Sequence, residues 1–152
     1  MRTVFAVITL LVAATANAEP PAPVVDSVRP EPRPTDKLFR QFGGEAALKT
    51  TVDAFTRIAL DDPRIAHTFE ETNIPRFKGK LYDQLCELMG GPCVYDGFGM
   101  RESHEPLDIG HAEFGAMVED FQTAMSEADV PFRIQNKLLK IIAPMKRDIV
   151  VE

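Results

Sequence analysis

From Asp36 onward the apolar residues recur at the helical period and nowhere at the strand period, and this constrains the fold more than any other feature. Leu48, Val52, Phe55 and Ala59 step by four, three and four; Phe77, Leu81, Leu85 and Leu88 step by four, four and three. Phe114, Met117, Val118, Phe121 and Met125 share a third face, and Ile134, Leu138, Ile142, Met145 and Ile149 a fourth. Each stripe must be covered by another helix, because one apolar face per helix is what a small α-domain buries. Punctuation falls between the runs. Gly43-Gly44 ends a short first helix, Asp61-Asp62-Pro63 breaks the second, and Asn73 with Pro75 can open the next. Gly90-Gly91-Pro92 closes that one, and Asp129-Val130-Pro131 separates the last two. The pattern predicts an all-α domain with four substantial helices.

One interval breaks the pattern. Residues 90–109 hold four glycines, two prolines and only scattered apolar residues. A stretch of that length inside a compact domain is either misassigned or functional, and it contains His104.

The N-terminus reads differently from the rest. Met1-Arg2 is a short basic start, Val4 to Ala14 an almost unbroken apolar run, and Ala16-Asn17-Ala18 a small-x-small cleavage site. This is the layout of a secretory signal peptide over 1–18, cut after Ala18; the run falls short of the about 20 residues that span a bilayer. Six prolines over residues 19–35 make the next segment an extended tether, so 19–36 is read as a disordered linker and 37–152 as the folded domain. Nothing later in the chain is long and apolar enough to cross a membrane. Export, expected to be periplasmic, would place Cys86 and Cys93 where disulfides persist. Whether they join depends on their Cα separation, so a bridge and two buried thiols both stand.

Composition excludes several partners. The chain carries a net charge of −6, and losing the leader with its single Arg2 leaves −7. A phosphate-backbone binder needs a basic face, and with no tryptophan and two tyrosines there is no stacking platform for single-stranded nucleic acid. No H-E-x-x-H or C-x-x-C marks a zinc site, no G-x-S-x-G a hydrolase, no glycine loop a phosphate cradle, and no C-x-x-C-H covalent haem. A Cys93–His104 nucleophile pair would lack a positioned third group. Of the three histidines, His67 reads as a surface or capping residue at a helix end and His111 as an exposed helix opener. His104 has Met100 four residues before it, on the same side of a helical turn, and Leu107 and Ile109 after it. On spacing alone such a histidine is more often structural than a ligand. What it faces, however, is helices rich in Phe, Leu, Ile and Met, which is what a haem pocket requires.

The blocks LFRQFGGEAAL, TVDAF, DDPRIAHTFEETNIPRFKGK, LMGGP-x-x-Y-x-G, M-R-E-x-H, I-x-x-x-x-F and VP…IIAP, in that order from Leu38 to about Val150, resemble the truncated haemoglobins of group I. The resemblance implies a shortened globin fold, a two-over-two helical sandwich around a non-covalent haem b, with a long extended loop before the proximal histidine. It makes His104 the proximal iron ligand. By matching position, Phe69 packs on the haem face, and Phe77, Lys80, Leu81 and Leu85 line the pocket from the distal helix. Arg76 and Lys80 are candidates to meet the propionates through charge-assisted hydrogen bonds. Met100, Phe114, Met117 and Ile142 wall the proximal side, and Tyr95 matches the structural tyrosine of the GGP loop.

Two positions depart from the pattern. Oxygen-binding members usually carry tyrosine where Thr56 stands and glutamine where Leu81 stands, so the expected distal pocket of Thr56, Phe77, Lys80 and Leu81 is weakly polar. A distal donor slows loss of dioxygen, whose bound form carries partial negative charge; its absence favours NO or CO, or weak O2 binding. The expected function is binding of a small diatomic ligand (O2, NO or CO), with redox turnover of NO or peroxide, and a redox partner, left open. One alternative has Lys80 ligating iron as a neutral amine, a six-coordinate arrangement suited to electron transfer or haem sensing. The other is a helical interaction module that has lost haem.

Overall fold

The computed structural model describes residues 36–151; the expected leader and all of the linker but Asp36, the residue preceding the first helix, lie outside them. Among the described residues, seven α-helices follow one another: α1 (Lys37–Phe42), α2 (Gly44–Asp61), α3 (Ile74–Leu88), α4 (Met100–His104), α5 (His111–Glu127), α6 (Phe132–Ile142) and α7 (Lys146–Ile149). Single 3₁₀ turns intervene at Ala66–Phe69, Glu105–Leu107 and Ala143–Met145. The described residues contain no strand, and none of their helices is long and apolar enough to cross a membrane.

The four long helices are those the periodicity predicts, paired as α2 with α3 and α5 with α6 in the two-over-two sandwich, except that the last stripe is interrupted: α6 ends at Ile142, and Met145 and Ile149 lie on the proline-bearing 3₁₀ turn and on α7. Leu48, Val52, Phe55 and Ala59 are all buried along α2, which packs chiefly on α5 and then on α3. Phe55 is the aromatic hinge of this crossing. Its ring centroid lies 5.5 Å from Phe121 of α5, edge to face, and 6.5 Å from Phe77 of α3, separations at which aromatic pairs add to simple burial. On α3, Leu85 and Leu88 are buried whereas Phe77 and Leu81 are only half-buried, the first sign that this face looks onto a space rather than onto another helix. A second, smaller core of Leu88, Ile109, Met145 and Ile149 lies beneath α4, with Met100, Leu107 and Phe114 against it.

Local chemistry sets the boundaries. Asn73 caps α3 by accepting from the Arg76 amide at 3.0 Å, with Pro75 in the first turn, where its missing N–H costs nothing. The glycine-rich interval resolves into an extended segment over 90–99 followed by α4, so His104 sits just beyond the loop, on a short helix. Cys86, fully buried near the end of α3, is joined to Cys93 by a disulfide with a Cα–Cα separation of 5.7 Å. Of the two readings for these cysteines, the bridge is the one found. Gly91 is needed there, because a Cβ would stand 2.7 Å from the Cys86 Sγ.

Candidate functional site

A cavity of about 440 Å3 opens between α3 on one side and α4, α5 and α6 on the other. Its lining brings together twelve of the residues singled out above. Phe69 comes from the 3₁₀ turn at Ala66–Phe69, Phe77, Leu81 and Leu85 from α3, Met100 and His104 from α4, Phe114 and Met117 from α5, and Ile142 from α6. Phe69 meets Phe77 edge to face at 5.3 Å. Arg76 and Lys80 stand at the rim, and Tyr95 buttresses the adjoining loop.

The position of His104 follows from α4, whose five residues have no side-chain N-cap and are held by neighbours rather than by themselves. Its Nδ1 lies 2.7 Å from the Met100 carbonyl. A carbonyl only accepts, so Nδ1 carries the hydrogen and Nε2 keeps its lone pair. Burial pushes the imidazole below the usual histidine range, only partly offset by that hydrogen bond, which favours the neutral, ligating form at neutral pH. Among the described residues no group of three or more His, Cys, Asp or Glu could hold a metal ion. The site therefore suits a metal that brings its other donors with it, in a flat apolar frame.

At the rim, Lys80 forms an ion pair with Asp96 of the extended segment. Lys80, and beyond it Arg76, hold the Asp96 carboxyl below the usual carboxylate range. Two cations at the mouth of an apolar slot are what the carboxylates of a macrocycle need. One imidazole with a fixed tautomer, an apolar slot and rim cations together fit a haem.

One expected distal residue is displaced. Thr56 is buried but does not line the cavity. Its Oγ1 donates to the Val52 carbonyl at 2.7 Å, within its own helix. The reason is geometric: Phe55 takes the cavity-facing direction on α2, and the next residue is turned about 100° from it, where a short hydroxyl finds its own backbone first. Tyr82, off the stripe of Phe77, Leu81 and Leu85, packs against the core without reaching the cavity. His67 and His111 are exposed.

Several lining residues escaped the sequence reading. Gln84, one turn beyond Lys80 on α3, reaches into the cavity and donates from Nε2 to the Met100 Sδ at 3.7 Å; its spacing of seven from Phe77 was the available signal. Phe98 lines the mouth yet remains 58% exposed. Its carbonyl accepts from the Tyr95 hydroxyl at 2.7 Å, and Gly97 lies so close beneath the Tyr95 ring that a Cβ would sit 2.4 Å from it.

A family model described as bacterial-like globin matches residues 37–151. A group 1 truncated hemoglobin of Tetrahymena thermophila is 31% identical over 111 residues, covering 73% of this chain and 92% of that protein. The group 1 truncated hemoglobin GlbN of Mycolicibacterium paratuberculosis is 30% identical over 112 residues, 74% of this chain and 82% of the relative. Among solved structures, the Fe(III) form of truncated hemoglobin from Tetrahymena pyriformis superposes with a TM-score of 0.72 at 29% identity, covering 76% of this chain and 98% of that one.

Proposed function

The chain belongs to the bacterial-like globin family, as a truncated haemoglobin that binds haem and a ligand on it, and from that premise we propose how its residues do so. His104 would hold the iron of a non-covalent haem b, which would supply the site at which a small diatomic ligand (O2, NO or CO) binds. The observation that carries this reading is the His104 tautomer: Nδ1 tied to the Met100 carbonyl at 2.7 Å, Nε2 left with its lone pair, on a cavity wall.

The protein's own part is orientation and exclusion. The hydrogen bond to Met100 fixes the His104 ring and raises the basicity of the ligating nitrogen. Phe69, Phe77, Leu81 and Leu85 line the cavity with apolar surface and would exclude water from the bound group. Arg76 and Lys80 meet the propionates by charge-assisted hydrogen bonds. With Thr56 turned away and Leu81 apolar, neither position gives a bound ligand a hydrogen-bond donor, so NO and CO are favoured over tight O2 storage. Redox turnover of NO or peroxide with a separate redox partner is compatible with such a pocket. The ion pair between Lys80 and Asp96 favours a rim role for this lysine over iron ligation, which would require it to leave its carboxylate. An exported, periplasmic location is supported by the leader pattern over residues 1–18 and by the Cys86–Cys93 disulfide, a bond that persists in oxidising compartments.

Absorbance spectra of the purified protein in ferric, ferrous and CO-bound states test the assignment. A Soret band in the wild type, lost or strongly weakened in His104→Ala, is expected. A protein that takes up no haem, or a His104→Ala variant with an unchanged spectrum, would instead support the haem-free helical module.

A further inference from the structure

Two ties join α3 to the segment that leads into α4, and they are in register. Lys80 meets Asp96 and Gln84 meets Met100, each across sixteen residues of sequence. The outer tie is an ion pair at the rim. The inner one lies inside the cavity, where Gln84 is the one carboxamide among the lining residues. Other polar groups of the lining bond within their own turn or loop: the Ser103 Oγ donates to the Gly99 carbonyl at 2.8 Å, the Thr68 Oγ1 to the Ile65 carbonyl at 2.8 Å, and the Glu113 Oε2 accepts from the Gly110 amide at 3.1 Å. Gln84 instead reaches from the distal wall to the proximal one.

Its target makes the reach consequential. Met100 is the first residue of α4, and the same residue's carbonyl accepts from His104 Nδ1. A five-residue helix without a side-chain N-cap takes its orientation from tertiary contacts, and the partner of the ligand's outer nitrogen sets both ring orientation and basicity. We infer that Gln84 is a positioning residue for the proximal ligand: by holding the first turn of α4 it transmits the state of the distal helix to the iron through Met100 and His104. This rests on the haem reading given above. A thioether is a weak acceptor, so the tie sets alignment rather than supplying much stability.

The experiment uses the haem-loaded protein as wild type, Gln84→Leu, Met100→Leu and the double variant. The readouts are the iron–histidine stretching band of the ferrous form by resonance Raman, and the rate of haem transfer to an excess of apo-globin acceptor. Gln84→Leu and Met100→Leu are expected to move the band in the same direction and to speed haem loss about three- to fivefold, the effect of one modest hydrogen bond. The double variant should go no further than either single one, since both act on one link. A band that stays put in Gln84→Leu while the melting temperature falls would reduce Gln84 to a packing role and overturn the inference. Additive shifts would overturn the route through Met100. A wild type without a Soret band would overturn the haem reading as well, and so is told apart from a failure of this inference alone.

Discussion

Removing the Cys86–Cys93 bridge should cost the domain stability in an amount that its loop length determines. The bond spans a sequence separation of seven, and closing so short a loop in the unfolded chain corresponds to about 8 cal/mol/K, or about 2.5 kcal/mol at 25 °C. Unfolding entropy of about 2.1 cal/mol/K per residue over a domain of residues 37–151 converts this to a fall of about 10 °C in melting temperature. The variant Cys86→Ala/Cys93→Ser tests the figure by thermal unfolding in oxidising buffer, followed by circular dichroism. Because Cys86 is fully buried, its truncation adds a packing loss, and reduction of the wild type with dithiothreitol is the cleaner arm, since both sulfurs stay in place. The two perturbations should agree to within a few degrees, and reductant should leave the double variant unchanged. If the wild type melts at the same temperature with and without reductant, the account of the bridge as a restraint on the unfolded chain is wrong.

Two further outcomes are expected. Asp120 is buried, its Oδ2 has no hydrogen-bond partner among the described residues, and burial, then the charge of Asp62, pushes its carboxyl above the usual range. The folded state therefore resists ionising it, a cost present at neutral pH and relieved as pH falls through the raised value. Asp120→Asn should exceed wild type in stability by up to about 1 kcal/mol at neutral pH, with the advantage closing toward about pH 4. Denaturant midpoints at several pH values measure it, and a pH-independent difference would exclude ionisation as the cause. Gly97→Ala would drive a Cβ to 2.4 Å from the Tyr95 ring and should destabilise by about 1–3 kcal/mol, the usual range for overpacking; unchanged denaturant midpoints would mean that the loop yields freely.

The helices were legible because their signal is redundant. Every member of the run Leu48, Val52, Phe55 and Ala59 is buried, and a wrong period would have failed at several positions together. The reading of His104 has a different basis. Local context could not separate it from a structural histidine, and its assignment as a ligand rests on the ordered motifs of a known family. What stayed hidden depended on direction or distance. Thr56 follows Phe55 in sequence, but one step along a helix turns a side chain by about 100°, and its hydroxyl closes on Val52. Gln84 stands seven residues after Phe77, a spacing that puts it on the cavity side of α3, but its partner Met100 lies sixteen residues further along and only the fold brings the two together. The cysteine pair was undecidable until the Cα separation of 5.7 Å was known.

The small helix that bears His104 is fastened from far along the chain. Arg101 donates to the nearly buried Asp148 of α7 at 3.3 Å, and the Val151 amide donates to the Ile109 carbonyl at 3.0 Å. The helix of His104 is thus moored to the last helix and to the residue two beyond it. For anyone reshaping this scaffold, α7 and Val151 belong with the candidate site: Ile149 lines the cavity itself, so a fusion or an affinity tag placed there should disturb the cavity as well as the fold.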